Sequence, residues 1–199
     1  TLPADSFIFN NVIMLRREVR WYPLQYDDIA SIKLDISVPD NFVVLTTADL
    51  IDKMSPNNNR ISEYKFENIS CNTLALIIAK DGVFYSIQPQ NADNVNIDFY
   101  FVSSDTTVNN KIIDEVCKSF SFYNKNLGNY KHKLLNLVEI PGDEVQFVQS
   151  LGSLIIIGSP FINYFKLGYS NWPPHEVAHQ WWGSGVYIDS KTKGRWFLE

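Results

Sequence analysis

Three residues near the end of the chain have the types and spacing of a metal-assisted hydrolytic centre: His175, Glu176 and His179, in an H-E-x-x-H pattern. On a helix, residues four apart lie on one face, one turn above each other. Both imidazoles can therefore reach one ion at the roughly 2.0–2.1 Å of a zinc–nitrogen bond. Glu176 is offset by one position, so its carboxylate stands beside the ion. There it can act as general base for the water that the ion activates.

The five-residue pattern also arises by chance on ordinary amphipathic helices. A catalytic zinc ion needs three protein ligands and one open position, so a further His, Asp or Glu is required. The chain has three histidines, and His132, between Lys131 and Lys133, reads as a surface residue. Asp189 is close in sequence, but a third ligand usually comes from a second helix. Glu199 is the better candidate, because Trp196-Phe197-Leu198-Glu199 has the pattern of a helix start. A purely structural zinc site would favour four Cys or His ligands.

The helix that must carry the motif has its own signals. Asn171 can serve as N-cap, and Pro173 and Pro174 fall in the first turn, where a missing N–H costs nothing. Gly183 and Gly185 would supply the stop. Upstream, Asn109 or Asn110 can cap a helix running to about Asn126, with Ile112, Ile113, Val116, Cys117 and Phe120 at helical spacing and Gly128 after it. Phe161 to Leu167 predicts a short helix closed by Gly168. Val95 to Val102, Leu134 to Ile140, Glu144 to Gln149 and Ser153 to Gly158 read as strands.

Residues before about 92 read as β-structure throughout. Ile32, Leu34, Ile36 and Val38 alternate with Lys33, Asp35 and Ser37, the period of a half-buried strand. Phe42 to Thr46 follows a Pro39-Asp40-Asn41 turn. Asp81-Gly82, between the apolar runs Leu74 to Ala79 and Val83 to Ile87, predicts a hairpin. The expectation is an α+β chain: a sandwich-like all-β domain over residues 1–92, then a helix–strand domain over 93–199.

Composition narrows the classes. The 199 residues are 45% hydrophobic and 14% aromatic, enough to bury a core and too apolar for a disordered segment. Net charge is -5 and no basic stripe carries interleaved aromatics, so nucleic acid is not an expected partner. No apolar run approaches the roughly 20 residues that span a bilayer, so no transmembrane segment is expected in this piece. Cys71 and Cys117 are too few for a disulfide framework and read as buried thiols. Asn68-Ile69-Ser70 fits a glycosylation sequon, a weak signal. The chain stops in mid-pattern after Trp196-Phe197-Leu198, which predicts a piece of a longer protein.

His175-Glu176-Val177-Ala178-His179-Gln180-Trp181-Trp182-Gly183, followed by Trp196-Phe197-Leu198-Glu199, resembles the gluzincin metallopeptidases of the aminopeptidase N type. Trp21-Tyr22-Pro23 is also similar to a motif in the β domain of bacterial members. The likeness is sharp over residues 170–199 and loose elsewhere. It implies a thermolysin-like catalytic domain after the β domain, cut at the third zinc ligand. It implies one zinc ion on His175, His179 and Glu199, Glu176 as base, and a peptide substrate. The spacing from His179 to Glu199 is one residue longer than the family's, which an insertion between Ile188 and Gly194 would absorb. The family's Gly-x-Met-Glu-Asn motif is not recognisable. Its best counterpart runs through Gln149 to Gly152 and Ser153, with Gln149 where the family has the Glu that meets the substrate's amino terminus. Glu144 is the alternative for that role. An edge strand over Gly152 to Ile157 would pair with substrate. The family's transition-state Tyr would lie beyond Glu199, and residues 1–199 alone are expected to be inactive. The competing reading is a non-catalytic peptide-binding or structural module, which Gln149 favours and Glu176 disfavours.

Overall fold

A strand with one apolar and one polar edge must lay the apolar edge on a core, and residues 31–39 do so. In the computed structural model Lys33, Asp35 and Ser37 are exposed, while Ile32, Leu34, Ile36 and Val38 turn inward. The structure describes residues 6–9, 11–16, 19, 21–22, 31–47, 49–54, 61–70, 73–87 and 89–183. It is a mixed α+β chain, mostly strand, with three helices among the described residues. It divides into two compact units, Thr1–Phe84 and Tyr85–Glu199.

The first unit holds β1 (Ser6–Phe9), β2 (Val12–Leu15), β3 (Ser31–Pro39), β4 (Phe42–Thr46), β5 (Asp49–Met54), β6 (Ile61–Ser70) and β7 (Leu76–Lys80). They form two antiparallel sheets, ordered β1-β2-β7-β4 and β3-β6-β5. Val44 and Leu76 from the first sheet share one core with Val38 and Tyr64 from the second. The Tyr64 hydroxyl donates to the Phe42 carbonyl at 3.1 Å, and the Thr46 hydroxyl to the Ala75 carbonyl at 2.7 Å.

The second unit begins with β8 (Tyr85–Ser86), β9 (Gln90–Ala92), β10 (Val95–Phe101) and α1 (Thr106–Leu127). It continues with β11 (Leu134–Ile140), β12 (Val148–Leu151), β13 (Leu154–Gly158), α2 (Ser159–Lys166) and α3 (Trp172–Ala178). Strands β10, β11 and β13 are parallel, β12 runs antiparallel on the β13 side, and β8 and β9 pair antiparallel with β10. Helix α1 is the β10–β11 crossover. Its Val108, Ile112, Val116 and Phe120 pack on Ile97, Phe99, Leu135, Leu137, Ile155 and Ile157. Among the described residues no helix is long and apolar enough to cross a membrane.

Several expectations need correction. The Asp81-Gly82 turn forms, with Gly82 at φ 85° and the Val83 N–H on the Lys80 carbonyl at 3.2 Å, but it closes no hairpin. Strand β7 pairs with β2 and β4, whereas β8 pairs with β10. The units therefore divide after Phe84 rather than at residue 92, because β8 and β9 belong to the sheet of β10. Helix α1 starts one turn before Asn109. Its N-cap is Asp105, whose carboxylate accepts the Val108 N–H at 3.2 Å, while Asn109 is buried and donates to the Ser103 carbonyl at 2.8 Å. Glu144 lies in an exposed turn ahead of β12, since Gly142 at φ 103° bends the chain there. Strand β13 is paired on both sides, so among the described residues the edge strand is β12, not Gly152 to Ile157.

Two details hold the parallel strands in place. The buried Glu139 carboxylate accepts the Val102 and Ser103 N–H groups at 2.8 and 2.9 Å and the Ser159 hydroxyl at 2.7 Å. It thereby ties the ends of β10 and β11 to the start of α2. At Gly158 a Cβ would overlap the Val145 carbonyl oxygen, so only glycine fits where β13 meets α2.

Candidate functional site

Helix α3 is short because its sequence offers little local support. Asn171 stands at the N-cap as expected, but its side chain makes no cap bond. Pro173 and Pro174 fix the first turn, and Trp172 and Val177 are buried against α1 and the sheet. The regular helix ends at Ala178, ahead of the glycines expected to stop it. His179 is the C-cap, at φ -62° and ψ -17°, so the chain keeps helical angles through it and the four-residue spacing survives. Gly183 follows at φ 105°; Gly185 lies outside the described residues.

The structure brings the two histidines of the motif together. Their Nε2 atoms are 3.0 Å apart, with the rings nearly perpendicular at 89°. His179 Nδ1 lies 3.0 Å from the Trp182 carbonyl oxygen. A carbonyl accepts only, so Nδ1 carries the proton and the Nε2 lone pair faces His175 Nε2. That is the outer-shell arrangement by which metal-bound histidines are held in one tautomer. A tetrahedral ion with bonds of 2.0–2.1 Å would separate two nitrogens by about 3.3–3.4 Å. The pair therefore fits a chelate after a small opening.

Glu176, between them, is 6% exposed, and its Oε2 has no hydrogen-bond partner. Burial raises its carboxyl above the ordinary range. His179 and His175 oppose that, as do the hydroxyl and the N–H of Ser150. A buried carboxylate with one oxygen unpartnered can hold a proton and release it.

The neighbouring elements clamp this turn. Ser150 on β12 donates its hydroxyl to the Glu176 carbonyl at 2.6 Å. Tyr130 donates to the buried Gln180 Oε1 at 3.1 Å. Trp181 donates from Nε1 to the Gly128 carbonyl at 2.7 Å and packs on Phe120, Tyr123 and Tyr130 at centroid distances of 5.4, 6.0 and 5.7 Å.

The other expected residues are placed as follows. Gln149 lies on β12, half-buried, opposite Ile156. Gly152 and Ser153 form the buried two-residue turn of the β12–β13 hairpin, Gly152 at φ 53°. The Ser153 carbonyl already accepts the Asn136 N–H at 2.9 Å. His132 is half-buried and edge-on to Tyr130 at 5.4 Å. Asp189 and Glu199 lie outside the described residues, and among the described ones no group of three potential ligands gathers. Sequence reading missed Ser150 and Tyr130. The position of Ser150 beside Gln149 on an edge strand was a usable signal, whereas nothing local marked Tyr130. A scan against models of protein families finds no match, and a search of curated proteins finds no similar chain.

Proposed function

We propose that the protein carrying this chain is a zinc-dependent peptidase of the aminopeptidase N-like gluzincin kind, with Glu176 as general base. One observation carries the reading: two imidazoles converge through Nε2 on the turn that also carries a buried carboxylate, Glu176, whose Oε2 is unpartnered. Binding alone would not need that carboxylate. His175 and His179 would hold the ion, with Glu199 as the third ligand. Zinc, when bound, supplies Lewis-acid polarisation of the peptide carbonyl. Glu176 takes a proton from the attacking water and returns it to the leaving amine.

The edge strand supports a peptide as substrate. In the β12–β13 ladder the Phe147 carbonyl accepts the Gly158 N–H at 3.0 Å, which sets the register. Gln149 and Leu151 thus turn their main-chain groups toward β13, and Val148 and Ser150 turn theirs to the free edge. An extended peptide can add there as a further strand. Gln149 offers a neutral amide, so selection for a free amino terminus is weaker than a carboxylate would give. In this reading the first unit is the family's sandwich-like β domain and the second the start of its thermolysin-like domain.

The test is Glu176→Gln in the full-length protein. Peptide turnover should fall by about 10²–10⁴-fold, with the zinc stoichiometry unchanged, while His175→Ala should strip the metal. A wild-type protein that holds zinc but cleaves no peptide would defeat the reading. So would a Glu176→Gln variant that loses metal as thoroughly as His175→Ala.

A further inference from the structure

We infer that Ser150 is a positioning residue: its hydroxyl sets the distance between the edge strand and the turn that carries Glu176. The inference rests on the reading of Glu176 as general base. At the end of α3 the carbonyls run out of helical donors. The His179 N–H returns to the His175 carbonyl at 3.3 Å, and the Gln180 N–H goes to Val177 at 3.1 Å. Those of Trp181 and Trp182 both reach Ala178 at 3.0 Å. The main chain thus passes over the Glu176 carbonyl, and the Ser150 hydroxyl fills that gap at 2.6 Å. This distance is at the short end for a neutral hydroxyl bond.

Ser150 is itself held firmly. Its neighbours Gln149 and Leu151 pair with Ile156 and Leu154, so the hairpin fixes its Cα while its own main-chain groups face the free edge. A single residue therefore joins the strand edge that would take substrate to the main chain of the base. Without the hydroxyl, β12 and α3 lose a direct link. A displacement of the base by about 1 Å can cost on the order of a hundredfold in rate.

The alternative role is structural only, a partner for an orphaned carbonyl. The two are separated in the zinc-loaded full-length protein by Ser150→Ala and by the near-isosteric pair Ser150→Thr and Ser150→Val. The pair keeps or removes the hydroxyl at constant volume and decides the matter if Ser150→Ala does not fold. We expect kcat to fall about tenfold to a hundredfold in the Ala and Val variants. KM and zinc stoichiometry should stay within about twofold, and Thr should restore most of kcat. An active wild type with kcat unchanged in Ser150→Ala or Ser150→Val overturns the positioning role alone. The same holds for a loss of kcat that Thr does not restore, or one that only follows the folded fraction. An inactive zinc-loaded wild type overturns the peptidase reading and this inference with it.

Discussion

Helices α1 and α3 pack against each other but draw their stability from different sources. Helix α1 has 22 residues, a side-chain N-cap in Asp105 and an apolar face at helical spacing. Helix α3 has 7 residues, no side-chain cap bond and two prolines in its first turn. Isolated helices shorter than about 12–15 residues are marginal in water, so α3 depends on what surrounds it. Its anchors are Ser150 from the edge strand, the Tyr130 hydroxyl on Gln180, and Trp181 against the end of α1. The long helix is a scaffold with its own cap and an apolar face laid on the sheet. The short one carries the candidate chemistry and is held from outside, which lets the scaffold set where His175, Glu176 and His179 stand.

The comparison breaks most visibly at Trp181. It is buried, packs on three aromatic rings and donates to the Gly128 carbonyl. Trp181→Ala should cost about 3–5 kcal/mol, measured by denaturant unfolding. Where the variant is still folded, amide exchange should rise across Trp172 to Trp182 and remain slow across Ile112 to Phe120. Equal acceleration in both helices would show that α3 has no special dependence on this anchor.

Tyr130→Phe is a finer cut, since it keeps the ring against Trp181 and removes the hydroxyl from Gln180. Because Gln180 is buried, its amide oxygen loses that donor at a cost of about 1–3 kcal/mol. Denaturant midpoints for Tyr130→Phe alone and combined with Trp181→Ala should show the two effects to be non-additive, as expected of neighbours in one clamp. Strict additivity would mean that they hold different parts of the molecule.

What the sequence made legible follows the same division. The face of β3, the span of β11 and the apolar stripe of α1 were readable because each is a periodic pattern on one element. The spacing of His175 and His179 was readable because it needs only helical angles, which persist through the C-cap. Tyr130 was not, because a hydrogen bond across 50 positions leaves no mark on local pattern, and Ser150 was marked only by its place beside Gln149 on a strand. Asp81-Gly82 misled for a related reason. A turn signal says that the chain bends, not which sheet the next strand joins, and β8 joins that of β10. The start of α1 was misplaced because Asn109 and Asp105 are both good caps, and the choice fell to the strand end, where Ser103 engages Asn109.

The smallest effect is expected at Asp105, and its sign with pH tests the self-sufficiency of α1. The Lys166 ammonium hydrogen-bonds this carboxylate at 2.8 Å and, with the Val108 N–H, holds its pKa below the ordinary value. A depressed carboxyl stabilises the fold above the pKa it has in the unfolded chain. That contribution is lost as pH falls through the lower, folded value. Asp105→Asn keeps a cap acceptor but removes the charge. The variant should therefore melt slightly below the wild type at neutral pH, and the gap should close as acid protonates Asp105. Because the pair faces solvent, salt should shrink the gap as well. Melting curves of both proteins from neutral pH down to about pH 2, at low and high salt, give the answer; the range spans the ordinary Asp value near 3.9. A gap that widened in acid would contradict the assigned cause. A neutral-pH loss as large as that of Trp181→Ala would contradict the comparison itself, because α1 would then hang on one terminal contact as α3 does.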